Sequence, residues 1–182
     1  MPPAPAPFAL VPFPGDPAPA GLAISGNASR HAGRLTVHYR LEGALGQLLI
    51  PSRADSPQRR DELWQTTCLE CFLARPGDAP YWEVNLSPCG HWNVYRLEEY
   101  RLGLTPEPTV TQAPAGACRR GPGRFELTLE LTLPTALAEA TALEVGITAV
   151  IEERSGAISY WALIHPGPQA DFHRREGFAI TL

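Results

Sequence analysis

Glu70 and Glu83 have the clearest chemical potential in this chain, because each interrupts a run of strand-forming residues. The same stretch, residues 60–101, carries Asn85, Asn93, Tyr95 and three tryptophans, Trp64, Trp82 and Trp92. Carboxylates and carboxamides take hydroxyl hydrogen bonds, and a flat ring such as Trp64 or Tyr95 takes the apolar side of a pyranose. Two carboxyls on one wall can also be the acid and nucleophile of glycoside cleavage, about 5 Å apart in retaining enzymes. Any two strand acids on one side of a sheet meet that spacing, so it does not by itself specify catalysis. The pattern therefore reads first as hydrogen bonding to a bound ligand, with no catalytic residue assigned.

Side chains alternate across a β-strand, and that alternation must position these groups. Over residues 81–87, Trp82, Val84 and Leu86 form one face, and Tyr81, Glu83, Asn85 and Ser87 the other. A turn at Pro88-Cys89-Gly90 leads into a second run, with Trp92 and Val94 on the apolar side and Asn93 and Tyr95 on the polar side, so the two read as a hairpin. Before them, Leu69, Cys71 and Leu73 oppose Trp64, Thr66, Cys68, Glu70 and Phe72. Sequential strands usually neighbour one another, which puts Trp64, Glu70, Glu83, Asn85, Asn93 and Tyr95 on one face as the candidate ligand-binding set. Trp82 and Trp92 fall on the opposite, core side.

Other reactive residues fit less well. Cys68 and Cys71 have zinc-knuckle spacing, but residues three apart on a strand face opposite ways, and no second such pair exists. His165, Asp171 and His173 in the C-terminal loop form an alternative metal set, though no fourth ligand lies near them in sequence. The expectation from these residues is no metal and no cofactor.

Length suits one domain of 182 residues with its own core. A net charge of −4 with no basic stripe argues against nucleic acid as a partner. The N-terminus lacks a basic segment followed by an apolar one, so neither a signal peptide nor a membrane span is expected, and the four cysteines read as reduced thiols in the cytoplasm. The expected partner is a small polar ligand; the residues do not identify a protein partner.

Residues 1–20 read as a proline-rich arm, with Phe8, Leu10, Val11 and Phe13 able to lie against a domain over residues 21–182. Strands are expected over residues 22–29, 34–41 and 47–50, then after the central stretch over 109–118, 124–133, 143–152, 158–164 and 178–182. The alternation in 124–133 is the cleanest, and residues 134–142 alone have helical composition. About ten short strands with regular turns argue for an all-β fold, an antiparallel β-sandwich with jelly-roll-like connections.

The motifs Leu63-Trp64-Gln65-Thr66-Thr67-Cys68-Leu69-Glu70-Cys71, Tyr81-Trp82-Glu83-Val84-Asn85-Leu86-Ser87-Pro88 and Trp92-Asn93-Val94-Tyr95-Arg96 resemble those of bacterial DOMON-like proteins. So do Tyr160-Trp161-Ala162-Leu163, His165-Pro166 and Asp171-Phe172-His173. The resemblance covers nearly all of the chain after the arm. It implies a β-sandwich related to DOMON domains and family-nine carbohydrate-binding modules, which hold a sugar or haem in a sheet-face pocket. The Glu, Asn, Tyr and Trp face matches a sugar-like ligand better than haem, so a non-enzymatic carbohydrate-binding module is expected. A haem or metal redox module, a glycoside-cleaving enzyme and a protein-interaction domain are the alternatives.

Overall fold

Two antiparallel sheets face each other in a computed structural model that describes residues 4–114 and 116–182. The first three residues of the expected arm, and Ala115 within the expected strand 109–118, lie outside these. The first sheet contains β1 (Ala6–Pro12), β2 (Ala23–His31), β3 (Arg34–Glu42), β9 (Arg124–Thr132) and β8 (Cys118–Gly121). The second runs β7 (Thr105–Pro106), β6 (Trp92–Leu97), β5 (Tyr81–Leu86), β4 (Cys68–Ala74), β10 (Glu144–Glu152) and β11 (Ile158–Ala162), and β12 (Ile180–Thr181) also pairs with β10.

β1 joins the sheets. Ala6 to Leu10 pair with β2, whereas Val11 and Pro12 pair with β11. The stretch read from sequence as an arm thus contains a strand whose Phe8 and Leu10 lie in the core. Prolines 5 and 7 disguise it, because proline argues against a paired strand unless its missing N–H falls where no ladder bond is needed.

The strongest alternation gives the most regular ladder. β3 and β9 pair in register from Arg34↔Thr132 to Glu42↔Arg124, with every second residue buried and the others facing water. β2 and β3 close on Ala32 and Gly33, both with positive φ, the conformation that suits a two-residue hairpin. The expected helix shrinks to one turn, α1 (Thr135–Ala138), whose last carbonyls accept hydrogen bonds from Arg30. Two expected strands fail. Residues 47–50 contribute only the end of a 3₁₀ turn and a single bridge from Leu48 to Glu153, and among the described residues of 109–118 only Cys118 enters a strand. Neither segment sustains enough apolar alternation to hold a ladder.

The sandwich interior is filled from both sheets, with Leu35, Val37, Leu127 and Leu129 meeting Leu69, Cys71, Leu73, Val84 and Ile147. Trp82, Trp92 and Trp161 join this core as well. Tyr39 crosses it, and its hydroxyl donates to the Glu70 carbonyl at 2.6 Å. Tyr39→Phe should lower unfolding free energy by about 1–2 kcal/mol, since it removes a buried hydrogen bond at constant shape. Chemical denaturation measures this directly; an unchanged stability would mean that the crossing bond contributes nothing.

Candidate ligand-binding cavity

Every residue of β4 and β5 is buried, odd and even positions alike. One-sided burial, as in β3 and β9, is the ordinary outcome for an antiparallel sheet. The outer face of the second sheet must therefore be covered. Three segments do this: the turn around Trp64, the loop 98–104 after β6, and the C-terminal strap 164–178.

The register sets the floor of the space beneath. Glu70 sits directly across from Asn85 on β5 and Thr148 on β10, Glu83 lies between Phe72 and Tyr95, and Asn85 faces Asn93. All are on the outer face. The strap packs Phe172 and Phe178 against Phe72 and is tied down at both ends. Asp171 accepts hydrogen bonds from Arg101 at 2.8 Å and from the Tyr100 hydroxyl at 2.5 Å, while Arg175 donates to the Asp78 carbonyl at 2.8 Å and pairs with Glu144. Arg101 adopts a left-handed backbone, φ 56°, and its N–H donates to the Tyr81 hydroxyl at 3.1 Å. A non-glycine residue persists there only when its surroundings over-determine it; Tyr81 and Asp171 supply that constraint.

Floor and roof enclose a cavity of about 670 Å³. Its walls combine the rings of Trp64, Phe72, Tyr160 and Phe172 with Glu70, Glu83, Arg101, His173, Asp16 and Gln169. This size and mixture, apolar walls with a few convergent polar groups, are those of a small-molecule site.

The two carboxyls differ in what surrounds them. Glu70 is 1% exposed; Thr148 Oγ1 donates to its Oε2 at 3.3 Å, whereas Oε1 has no partner among the described residues. Burial, and then the charge of Glu83, push its pKa well above the usual carboxylate range. Asn85 Oδ1, on the residue directly opposite, is also unpartnered. A proton on Glu70 makes its carboxyl a donor, beside a cross-strand neighbour whose Oδ1 is an acceptor without a partner among the described residues. Asn85 Nδ2 in turn donates to Glu83 Oε1 at 2.8 Å. Burial raises Glu83 too, but Asn85 and Arg101 oppose it, so of the two it is the better placed to keep its charge. Burial, then Arg101, lowers the His173 pKa to about 4, which leaves the imidazole neutral at physiological pH.

Of the residues expected to meet a ligand, Trp64, Glu70 and Glu83 line the cavity. Asn85 is fully buried between Glu70 and Glu83 and acts through them. Asn93 and Tyr95 share the face but not the cavity wall. Asn93 Nδ2 and the Tyr95 hydroxyl both bind Asp61 Oδ1, at 3.0 and 2.7 Å, and the Tyr95 ring meets Trp64 edge-on. They hold the Trp64 turn in place. The alternative metal set does not assemble: His165 Nε2 contacts the Val11 carbonyl, Asp171 engages Arg101, and His173 engages Tyr81. Among the described residues no three His, Cys, Asp or Glu side chains come together as a metal site. Cys68 and Cys71 are buried on opposite faces, as their spacing requires. Sequence reasoning missed Phe72 as a wall although it shares the face, and alternation could not place beside it Arg101 from the loop after β6, Tyr160 from β11 or Phe172 from the strap.

No protein-family model matches the sequence, and no curated protein matches it either. Solved structures do resemble the fold. One is a candidate carbohydrate-binding protein from Bacteroides uniformis, with a TM-score of 0.65 and 14% identity over 98% of this chain and 84% of that one. Another is a family 9 carbohydrate-binding module from Caldicellulosiruptor kristjanssonii in complex with cellotriose, with a TM-score of 0.50 and 12% identity over 84% of this chain and 70% of that one. At such identities the likeness establishes a shared β-sandwich.

Proposed function

We propose that this β-sandwich is a non-enzymatic binding module for a carbohydrate or a related small polyhydroxylated ligand, held in the cavity over the outer face of the second sheet. The observation that carries the reading is the cavity wall itself, where aromatic rings from two strands and two covering segments surround the Glu70 and Glu83 carboxyls. Rings cover the C–H faces of a sugar while carboxyl oxygens accept its hydroxyls. Support comes from the fold shared with a module that binds cellotriose, and the motif resemblance to DOMON-like proteins points the same way.

A thermal-shift screen of neutral mono- and oligosaccharides tests this. Ligand at about a hundredfold over its dissociation constant adds roughly 2.7 kcal/mol, which is a rise of roughly 5–10 °C for a domain of this size. Trp64→Ala removes an aromatic wall and should weaken binding about ten- to hundredfold by titration calorimetry. A screen without any shift would remove the carbohydrate reading.

The difference between Glu70 and Glu83 favours glycoside cleavage as the second reading: burial raises both, but Asn85 and Arg101 restrain the rise at Glu83 alone, and unequal environments are how an acid and its partner are told apart. Steady turnover of aryl glycosides, lost in Glu70→Gln and Glu83→Gln, would replace the binding reading with that one.

A further inference from the structure

Hydrogen-bond polarity at the cavity floor can be read outward from a backbone amide. The Arg101 N–H donates to the Tyr81 hydroxyl oxygen at 3.1 Å, and that hydroxyl lies 2.8 Å from His173 Nδ1. A phenol has a single proton to give. The described residues offer the Tyr81 hydroxyl no other acceptor, so its proton goes to Nδ1. A neutral imidazole that accepts at Nδ1 carries its own proton on Nε2. His173 Nε2 is 3.9 Å from Glu83 Oε2, too far for a direct hydrogen bond, and both residues line the cavity. A donor and an acceptor thus stand side by side with a gap between them. An oxygen about 2.8 Å from each closes that gap, provided that it accepts from one and donates to the other.

We infer that a hydroxyl of the ligand bridges His173 Nε2 and Glu83 Oε2, and that this pair selects neutral polyhydroxylated ligands over charged ones. The inference rests on the carbohydrate reading and narrows it. A carboxylate or phosphate can accept from His173 but has no proton for Glu83, and it would meet the negative charges of Glu83 and Asp16. The cationic wall residue, Arg101, already pairs with Asp171. An ammonium satisfies Glu83 but has no lone pair for the Nε2 proton. A hydroxyl meets both demands. Glu83 is held for this role by Asn85 from its own strand, and His173 by Tyr81 from across the strap; the other groups around the pair are Arg101, Asp171, Glu70 and the Phe72 ring. Tyr81 is accordingly a positioning residue, which fixes the tautomer without reaching the ligand.

Binding of D-glucose, D-galactose, D-xylose and cellotriose is compared by titration calorimetry with D-glucuronate, glucose 6-phosphate and D-glucosamine. ¹⁵N NMR of the free protein near neutral pH reads the His173 tautomer independently. The expected result is a neutral ring protonated at Nε2, binding of at least one neutral sugar, and affinity for the charged sugars weaker by about tenfold or more. His173→Phe and Glu83→Gln should each cost about tenfold. His173→Gln, which keeps an N–H donor, should recover part of the loss, and Tyr81→Phe should mix the tautomers. Unliganded melting temperatures check that each variant folds. A ring protonated at Nδ1, equal affinity for glucuronate, or neutral-sugar binding indifferent to His173→Phe overturns the inference while leaving the carbohydrate reading in place. Absence of binding by every sugar removes that reading, and this inference with it.

Discussion

Glu70→Gln is expected to stabilise the protein at neutral and alkaline pH, by an amount that grows as pH rises. Burial raises the folded-state pKa of Glu70 above its usual 4.5, so the native state retains a proton that the unfolded chain has already released. Stability then falls with increasing pH from about 4.5 up to the raised value, by roughly 1 kcal/mol per pH unit. Glutamine copies the protonated carboxyl: it is neutral, offers a donor as well as an acceptor, and its oxygen can accept from Thr148. The variant lacks the falling limb, and its melting temperature should exceed that of the wild type by roughly 3 °C for each pH unit from about 5 up to the raised value, and by a constant amount beyond it. His173 contributes in the other sense. Its folded pKa of about 4 lies below the usual 6.5, so its contribution is complete above 6.5 and is lost as pH falls toward 4. Glu83, which burial also raises, adds to the falling slope in both proteins, so the effect of Glu70 is read from the difference between the two curves. Melting temperatures of both proteins across about pH 4 to 9 decide the matter; parallel curves would show that Glu70 titrates normally.

Gly26→Ala should be the most destabilising single methyl group that the chain could receive in its first sheet. A Cβ there would stand 1.8 Å from the His38 carbonyl oxygen and 2.7 Å from Phe8 Cζ. Gly26 is paired with Phe8 on one side and Tyr39 on the other, and those two rings meet edge-on with centroids 5.7 Å apart. The clash is with backbone, so no rotamer relieves it, and displacing β3 also moves Tyr39 away from the Glu70 carbonyl. A loss above about 4 kcal/mol is expected, enough to remove much of a typical domain's stability. Gly46→Ala, where the added carbon meets nothing within 4 Å, should stay within about 0.5 kcal/mol of wild type and serves as the control. Denaturant midpoints of the two variants that agree would show that β2 and β3 can separate without cost.

Period-two patterning made much of this legible in the sequence. It assigned Leu69, Cys71, Leu73, Trp82, Val84 and Trp92 to the interior and Glu70, Glu83, Asn85, Asn93 and Tyr95 to one opposite face, and a register slip would have scrambled both sets at once. It also identified β9 from the inward apolar residues Phe125, Leu127, Leu129 and Leu131. Patterning is local, so it could say which side of a strand a residue takes but not what lies above it. The burial of both faces of β4 and β5 comes from the strap, and the contacts that hold it, Asp171 to Arg101 and His173 to Tyr81, join residues 70 and 92 positions apart. Asp61 turned Asn93 and Tyr95 from expected ligand contacts into supports for Trp64. The proline-rich start became a strand because two sheets each offered it an edge. The sequence by itself thus determined the sandwich and the chemistry of one face, since a strand's alternation is set by its own residues. Only the tertiary structure decided that this face is roofed into a cavity, and which of its groups remain free to meet a ligand, because long-range closure has no periodic trace in the chain.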